Sequence, residues 1–157
     1  MDLAPDFKEL LAEFALDAVE TVLVGGYAVA FHGRPRATKD IDLVLGGDDA
    51  NLVRAARALA RFGAPAVVVE GVRSLSPTDV VFMGQPPLRV DLLRTIDGVD
   101  SKGLFARAIP GEIDGVAVRV IALDDLIANK RAVGRAQDLV DVEFLERVRG
   151  REGRPPG

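Results

Sequence analysis

Val24-Gly25-Gly26 and, after a thirteen-residue gap, Asp40-Ile41-Asp42-Leu43 decide the reading of this chain. Thr21-Val22-Leu23-Val24 reads as a short buried strand that the glycine pair breaks. Glycines at such a junction let backbone N–H groups come close to an anion. Asp40 and Asp42 stand at i and i+2 of an alternating strand, Asp40 to Leu45, whose apolar members are Ile41, Leu43 and Leu45. Both carboxylates therefore leave the same face, with Cα atoms roughly 6.5–7 Å apart. A third acid, Asp91, lies in Leu88-Arg89-Val90-Asp91-Leu92-Leu93, a run so apolar that its aspartate is expected to be partly buried.

Outward from these stretches the pattern alternates helix and strand. Phe7, Leu10, Leu11 and Phe14 fall at helical spacing behind Asp6, and Tyr27 to His32 reads as a short helix ending at Gly33. Arg34-Pro35-Arg36 is a turn, because proline keeps its predecessor out of the helical region. Asp48 or Asp49 caps a helix to about Phe62, with Leu52, Ala56 and Leu59 inward. Ala66 to Val69 and Asp79 to Met83 are β-branched and read as strands, and residues 94–103 read as a loop. Asp114-Gly115 is a hairpin signal before a strand from Val116 to Ile121. Two helices close the chain, Asp124 to Val133 and Ala136 to Arg147, split at Gly134. The expectation is an α/β fold, a mixed sheet flanked by helices, as a single domain over 1–149 with a disordered tail over 150–157.

Composition sets bounds on function. The 157 residues are 48% hydrophobic and 28% charged, the balance of a folded globular chain. Twenty basic against 24 acidic residues give a net charge of -4, which argues against a general polyanion binder. Cysteine is absent, which excludes disulfides, thiolate zinc sites and thiol nucleophiles. Met1 to Asp6 has neither the basic nor the long apolar region of a signal peptide, and no apolar run nears the ~18 residues that span a bilayer. A cytoplasmic protein without a membrane partner is expected.

Clustered carboxylates repel, and a buried one carries a raised pKa. Mg²⁺ resolves both problems, since it prefers oxygen ligands and is commonly held by carboxylates together with substrate phosphates. Taken together, Val24-Gly25-Gly26, Asp40-Ile41-Asp42-Leu43 and Asp91 resemble the signature of the nucleotidyltransferase superfamily with its DNA polymerase β-like core. Gly26-Tyr27-Ala28-Val29 through His32-Gly33, Arg36-Ala37-Thr38-Lys39-Asp40, Leu126 to Lys130 and Arg135 to Asp141 resemble its small bacterial members. That group includes abortive-infection and toxin–antitoxin enzymes. The resemblance runs from about residue 20 to 145. It departs at Gly26, where many members carry serine, so no hydroxyl is offered there.

The resemblance implies attack of an acceptor hydroxyl on the α-phosphate of a nucleoside triphosphate, with release of pyrophosphate. Asp40, Asp42 and Asp91 become the catalytic and metal-binding residues, with Mg²⁺ or Mn²⁺ as cofactor. Asp91 completes a second metal position and accepts the proton of the attacking hydroxyl. The candidate nucleotide-binding set is Gly25, Gly26, Arg36, Thr38, Lys39 and Lys130. A tRNA end, a protein or a small molecule is the acceptor, and a cognate antitoxin is an implied partner. The alternative is a non-catalytic nucleotide-binding or protein-interaction module, against which the three intact aspartates speak.

Several residues carry two readings. Lys130, in register with Leu123, Leu126, Ile127 and Val133, either meets the triphosphate or pairs with Asp138 or Asp141. Arg34, Arg36 and Lys39 either meet phosphates or form a solvated basic loop. Thr38 fixes the start of its strand or binds nucleotide, Tyr27 packs or stacks on a base, and His32 either packs or caps its helix or takes part in catalysis.

Overall fold

The computed structural model describes residues 2–35, 37–38, 40–85 and 88–152. Arg36, Lys39 and residues 153–157 of the expected tail lie outside the described residues. In chain order the elements are α1 (Pro5–Leu16), β1 (Thr21–Val24), α2 (Gly25–Phe31), β2 (Asp40–Leu45), α3 (Asp49–Phe62), α4 (Ala66–Arg73) and β3 (Val80–Gln85). There follow β4 (Leu88–Leu93), α5 (Ser101–Arg107), β5 (Ile109–Ile113), β6 (Val116–Val120), α6 (Leu123–Val133) and α7 (Ala136–Glu152). The six strands form one mixed sheet in the order β3-β4-β2-β1-β6-β5. β2 runs parallel to β4 and β1 parallel to β6, and the remaining pairs are antiparallel. This is the expected α/β architecture.

Strand parity separates the two faces of the sheet. Ile41, Leu43 and Leu92 are at most 1% exposed and turn to the side covered by α1, α3 and α4. α1 contributes Phe7, Leu10, Leu11 and Phe14 to that core, at the spacing its sequence announces. The opposite face carries the aspartates and meets α2, on which α6 and then α7 pack.

One buried amide ties the sheet to α3. Asn51 is fully buried and donates from Nδ2 to the carbonyls of Glu20 (3.0 Å) and Gly46 (2.8 Å). Its Oδ1 accepts from the Glu20 amide at 2.7 Å, while its own amide donates to Asp48 Oδ1, the α3 cap, at 2.7 Å. Asn51 therefore joins the residue before β1 to the residue after β2. Asn51→Ala strands backbone groups on both, and a loss on the order of 2–4 kcal/mol is expected in urea unfolding, without loss of the α/β circular dichroism signature.

Four expectations are corrected. Ala66 to Val69 is the first turn of α4, not a strand: behind Pro65, Val68, Val69, Val72 and Leu75 bury at helical spacing while Val67 is 78% exposed. Tertiary packing outweighs β-branching there. Within 94–103 the loop ends early, because Asp100 accepts from the Gly103 amide at 2.8 Å and starts α5. Residues 150–152 belong to α7, whose last turn is basic, as a helix C-terminus favours. Val133, which the sequence places in register with Lys130 on the inner face of its helix, is 38% exposed at the end of α6.

Candidate active site

β2 and β4 bring the three acids together. In their parallel register Asp42 lies beside Asp91 and Asp40 beside Arg89, so all four side chains leave the same face. Antiparallel pairing of Val24 with Asp42 brings the end of β1, and with it Gly25, against the Asp42 carboxylate. Gly25 has a φ of +69°, and a Cβ added there would collide with the Asp42 carboxylate. Both conditions demand glycine. Gly25→Ala is expected to abolish triphosphate binding, measured by equilibrium dialysis, and to lower Tm by several degrees, because it strains the backbone and displaces Asp42 together.

The cavity above these residues has a volume of about 320 Å³. Gly25, Gly26, Thr38, Asp40, Asp42, Asp91 and Lys130 all line it, as do Ala37, Arg89 and Arg135. A hollow of about 360 Å³ between α1 and the β5–β6 edge is larger but mainly apolar. Converging charge, not volume, marks the first as the chemical site.

Three carboxylates and three cations, Arg89, Lys130 and Arg135, line this cleft. Burial first, then the hydrogen bond with Asp91 and the charges of Asp91 and Asp40, push the Asp42 carboxyl up to about 7, against the pull of Lys130. Arg89 holds Asp91 from two sides, Nε to Oδ1 at 2.8 Å and Nη2 to Oδ2 at 3.1 Å, and reaches Asp40 Oδ2 at 3.5 Å. Among the described residues no group of three or more acidic, imidazole or thiol side chains is already arranged to hold a metal ion. The donor set nevertheless fits a hard divalent cation. It consists of carboxylate oxygens on adjacent strands, one of which the fold holds partly protonated near neutral pH.

Lys130 is buried and ion-paired with both expected partners, Asp138 Oδ1 at 3.1 Å and Asp141 Oδ2 at 3.3 Å. It also lines the cavity beside Gly25 and Gly26. Arg135 donates to Asp138 from its amide (3.2 Å) and from Nε (2.8 Å). Burial works to raise the Asp138 pKa, but the bonds from Arg135 and Lys130 outweigh it and hold the carboxyl below its ordinary value.

Arg34, Thr38, Tyr27 and His32 make the following contacts. Arg34 is drawn to Asp141 at 3.4 Å and lies 5.8 Å from the Phe144 ring centroid. Thr38 Oγ1 donates to the Asp40 carbonyl at 3.3 Å, at the start of β2. Tyr27 is buried edge-on to Phe7. His32 follows α2 directly, and its Nε2 donates to the Ile121 carbonyl at 2.8 Å. Arg89 and Arg135 were not singled out from the sequence. Parity would have found Arg89, which stands two residues before Asp91 on the same strand and so on the same face.

Solved structures with the same architecture are nucleotidyltransferases. The antibiotic-resistance factor ANT(2'')-Ia superposes with a TM-score of 0.61 at 16% identity, over 94% of this chain and 84% of its own. The lincosamide antibiotic adenylyltransferase LnuA, solved with lincomycin, gives 0.60 at 13% identity, over 93% and 98%. An antigenic nucleotidyltransferase-like protein from Paracoccidioides brasiliensis gives 0.53 at 16% identity, over 91% and 77%. At such identities these matches define the fold. No curated protein sequence matches the chain. The family is given by sequence: residues 9–155 match the model of the nucleotidyl transferase AbiEii toxin, type IV toxin–antitoxin system, and the chain belongs to that family. It is a nucleotidyltransferase. No helix among its described residues is long and apolar enough to cross a membrane.

Proposed function

We propose that this cleft moves a nucleoside monophosphate from a nucleoside triphosphate to an acceptor hydroxyl with Mg²⁺, for which Mn²⁺ can substitute. The observation that carries the reading is the convergence of Asp40, Asp42 and Asp91 on one cavity, with Asp42 buried and pushed up to about 7. Asp40 and Asp42 would hold the metal with the triphosphate, and Asp91 would complete a second position. When bound, the metal supplies charge neutralisation on the entering and leaving oxygens.

The chain's own residues bind and orient. Gly25 and Gly26, without side chains, let the triphosphate tail approach the backbone, and Lys130 and Arg135 face it with positive charge. Thr38 lines the same wall, and Arg36 and Lys39 flank it in sequence. The acceptor oxygen bonds to the α-phosphorus as the bond to the bridging oxygen breaks. Pyrophosphate leaves with the electron pair, and the hydroxyl proton passes to Asp91. Positioning and electrostatics carry most of the catalysis.

The family description, a toxin of a type IV toxin–antitoxin system, supports a cognate antitoxin as partner, and the acceptor of this reading is a cell component, an RNA end or a protein, met in the cytoplasm. The named neighbours, by contrast, include enzymes of antibiotics. The test is incubation of the protein with α- or γ-labelled triphosphates, Mg²⁺ and a cell extract. Label from the α position is expected to appear on one fraction, label from the γ position in pyrophosphate, and neither to move with chelator. Transfer of the γ label, or of none, would refute the reading. The labelled fraction identifies the acceptor as RNA, protein or small molecule.

A further inference from the structure

The face that carries the aspartates continues past Asp91 to the edge of the sheet. β3 is the edge strand, antiparallel to β4, with Phe82 directly opposite Asp91 and Val80 opposite Leu93. Parity sends Val81 to the other side, where Gly71 of α4 lies against it, and Met83 is buried there. Phe82 and Val80 are left on the catalytic face, 55% and 38% exposed. Directly opposed residues of an antiparallel pair have Cβ atoms roughly 4.5–5.5 Å apart, so the Phe82 ring borders the Asp91 carboxylate. The Arg89 guanidinium lies 4.9 Å from the ring centroid while holding Asp91. Core packing gives no reason for a large aromatic side chain to stand half in solvent beside an ionised site.

Strand order gives the reason. Across this face run β1, at whose end α2 opens with the glycine pair, β2 with Asp40 and Asp42, β4 with Arg89 and Asp91, then β3 with Phe82. The next step rests on the function proposed above, in which the triphosphate tail lies by Gly25, Gly26, Lys130 and Arg135. In phosphoryl displacement the entering and leaving oxygens stand roughly in line on opposite sides of phosphorus. Pyrophosphate departing toward β1 therefore requires an acceptor arriving over β4 and β3. The geometry points to Phe82, backed by Arg89, as the seat of the acceptor, a platform for the flat ring face next to the reacting hydroxyl. A phenylalanine ring offers area and no hydrogen-bonding atom, so it selects a ring without reading its substituents.

The chain has no tryptophan, so Phe82→Trp introduces a single indole reporter at the platform. With Mg²⁺ and a non-hydrolysable ATP analogue present, its emission is followed during titration with total tRNA and, separately, with tobramycin. These arms separate a nucleobase from a sugar ring. Quenching or a shift with one of them, and little change with the ATP analogue alone, is expected. No response to either probe overturns the platform, and a full response to the ATP analogue alone overturns its acceptor-side placement. Emission does not depend on turnover, so failure of labelled transfer in the wild type would count against the proposed function without deciding the platform. In the transfer assay, with the labelled fraction as acceptor, Phe82→Ala is expected to raise the acceptor KM on the order of 10- to 100-fold and leave the triphosphate KM unchanged. An acceptor KM within about twofold of wild type, or equal rises in both constants, would overturn the assignment.

Discussion

Asp42→Asn is expected to lower nucleotidyl transfer on the order of 10³-fold or more and to leave a folded protein more stable, without metal, than the wild type. The catalytic loss follows because an amide can still hydrogen-bond but no longer supplies the charge that holds the metal and triphosphate at the transition state. The stability gain follows from the same position. In the unfolded chain this carboxyl ionises near the ordinary value of about 3.9. In the folded chain burial, then Asp91 and Asp40, push it up to about 7. Between these values the folded state holds more protons than the unfolded state, so stability falls as pH rises through that window and the deficit is complete above about 7. An asparagine has no such ionisation, and its amide can still donate to Asp91. The variant and wild type should therefore unfold alike near pH 4 and diverge toward pH 8, by on the order of 1–3 kcal/mol or several degrees in Tm. Thermal unfolding across that pH range with chelator present measures this. Near wild-type turnover of the variant at saturating Mg²⁺, or equal Tm values at pH 8, would contradict the assignment.

Lys130→Met is expected to produce the opposite pattern, a large loss of stability. Lys130 is held between Asp138 and Asp141, both at most 1% exposed, at 3.1 and 3.3 Å. Methionine keeps the length and apolar stem of lysine and removes only the charge. Removing one partner of a buried ion pair typically costs ~3–5 kcal/mol, because the remaining charge is left in a low dielectric. Here Arg135 still serves Asp138 and Arg34 still approaches Asp141, so the lower end, about 3 kcal/mol, is expected in urea unfolding. Because Lys130 also lines the cavity, triphosphate affinity should fall as well. Wild-type stability combined with lost affinity would show that the lysine serves the ligand alone.

What the sequence made legible is what strand parity and turn chemistry control. Asp40 and Asp42 had to share a face, and Asp91 stood out because an acid in so apolar a run needs a reason. The Asp114-Gly115 hairpin and the α1 stripe are local features and appear where the sequence places them, and of Asp48 and Asp49, both open as the α3 cap, Asp48 is the one that caps. Long-range packing decided the rest. Val67, Val68 and Val69 carry a strand propensity that is overruled because α3 offers a surface for a helix. Arg89 and Phe82 take on meaning only once β4 lies between β2 and β3, which no local pattern states. For Lys130 the sequence offered either a ligand or a buried pair. The Gly134 turn brings α7 back on α6, and the lysine lies both in the pair and at the cavity wall.

The central claim, that three aspartates hold divalent metal together with a triphosphate, is tested most directly by counting bound ions. Mn²⁺ titrated into the protein with a non-hydrolysable ATP analogue, and followed by electron paramagnetic resonance, should show two tightly held ions in the wild type. It should show at most one in Asp91→Asn, and none beyond those carried by the free analogue in the Asp40→Asn, Asp42→Asn double variant. Equal Mn²⁺ uptake by the wild type and the double variant would contradict the account.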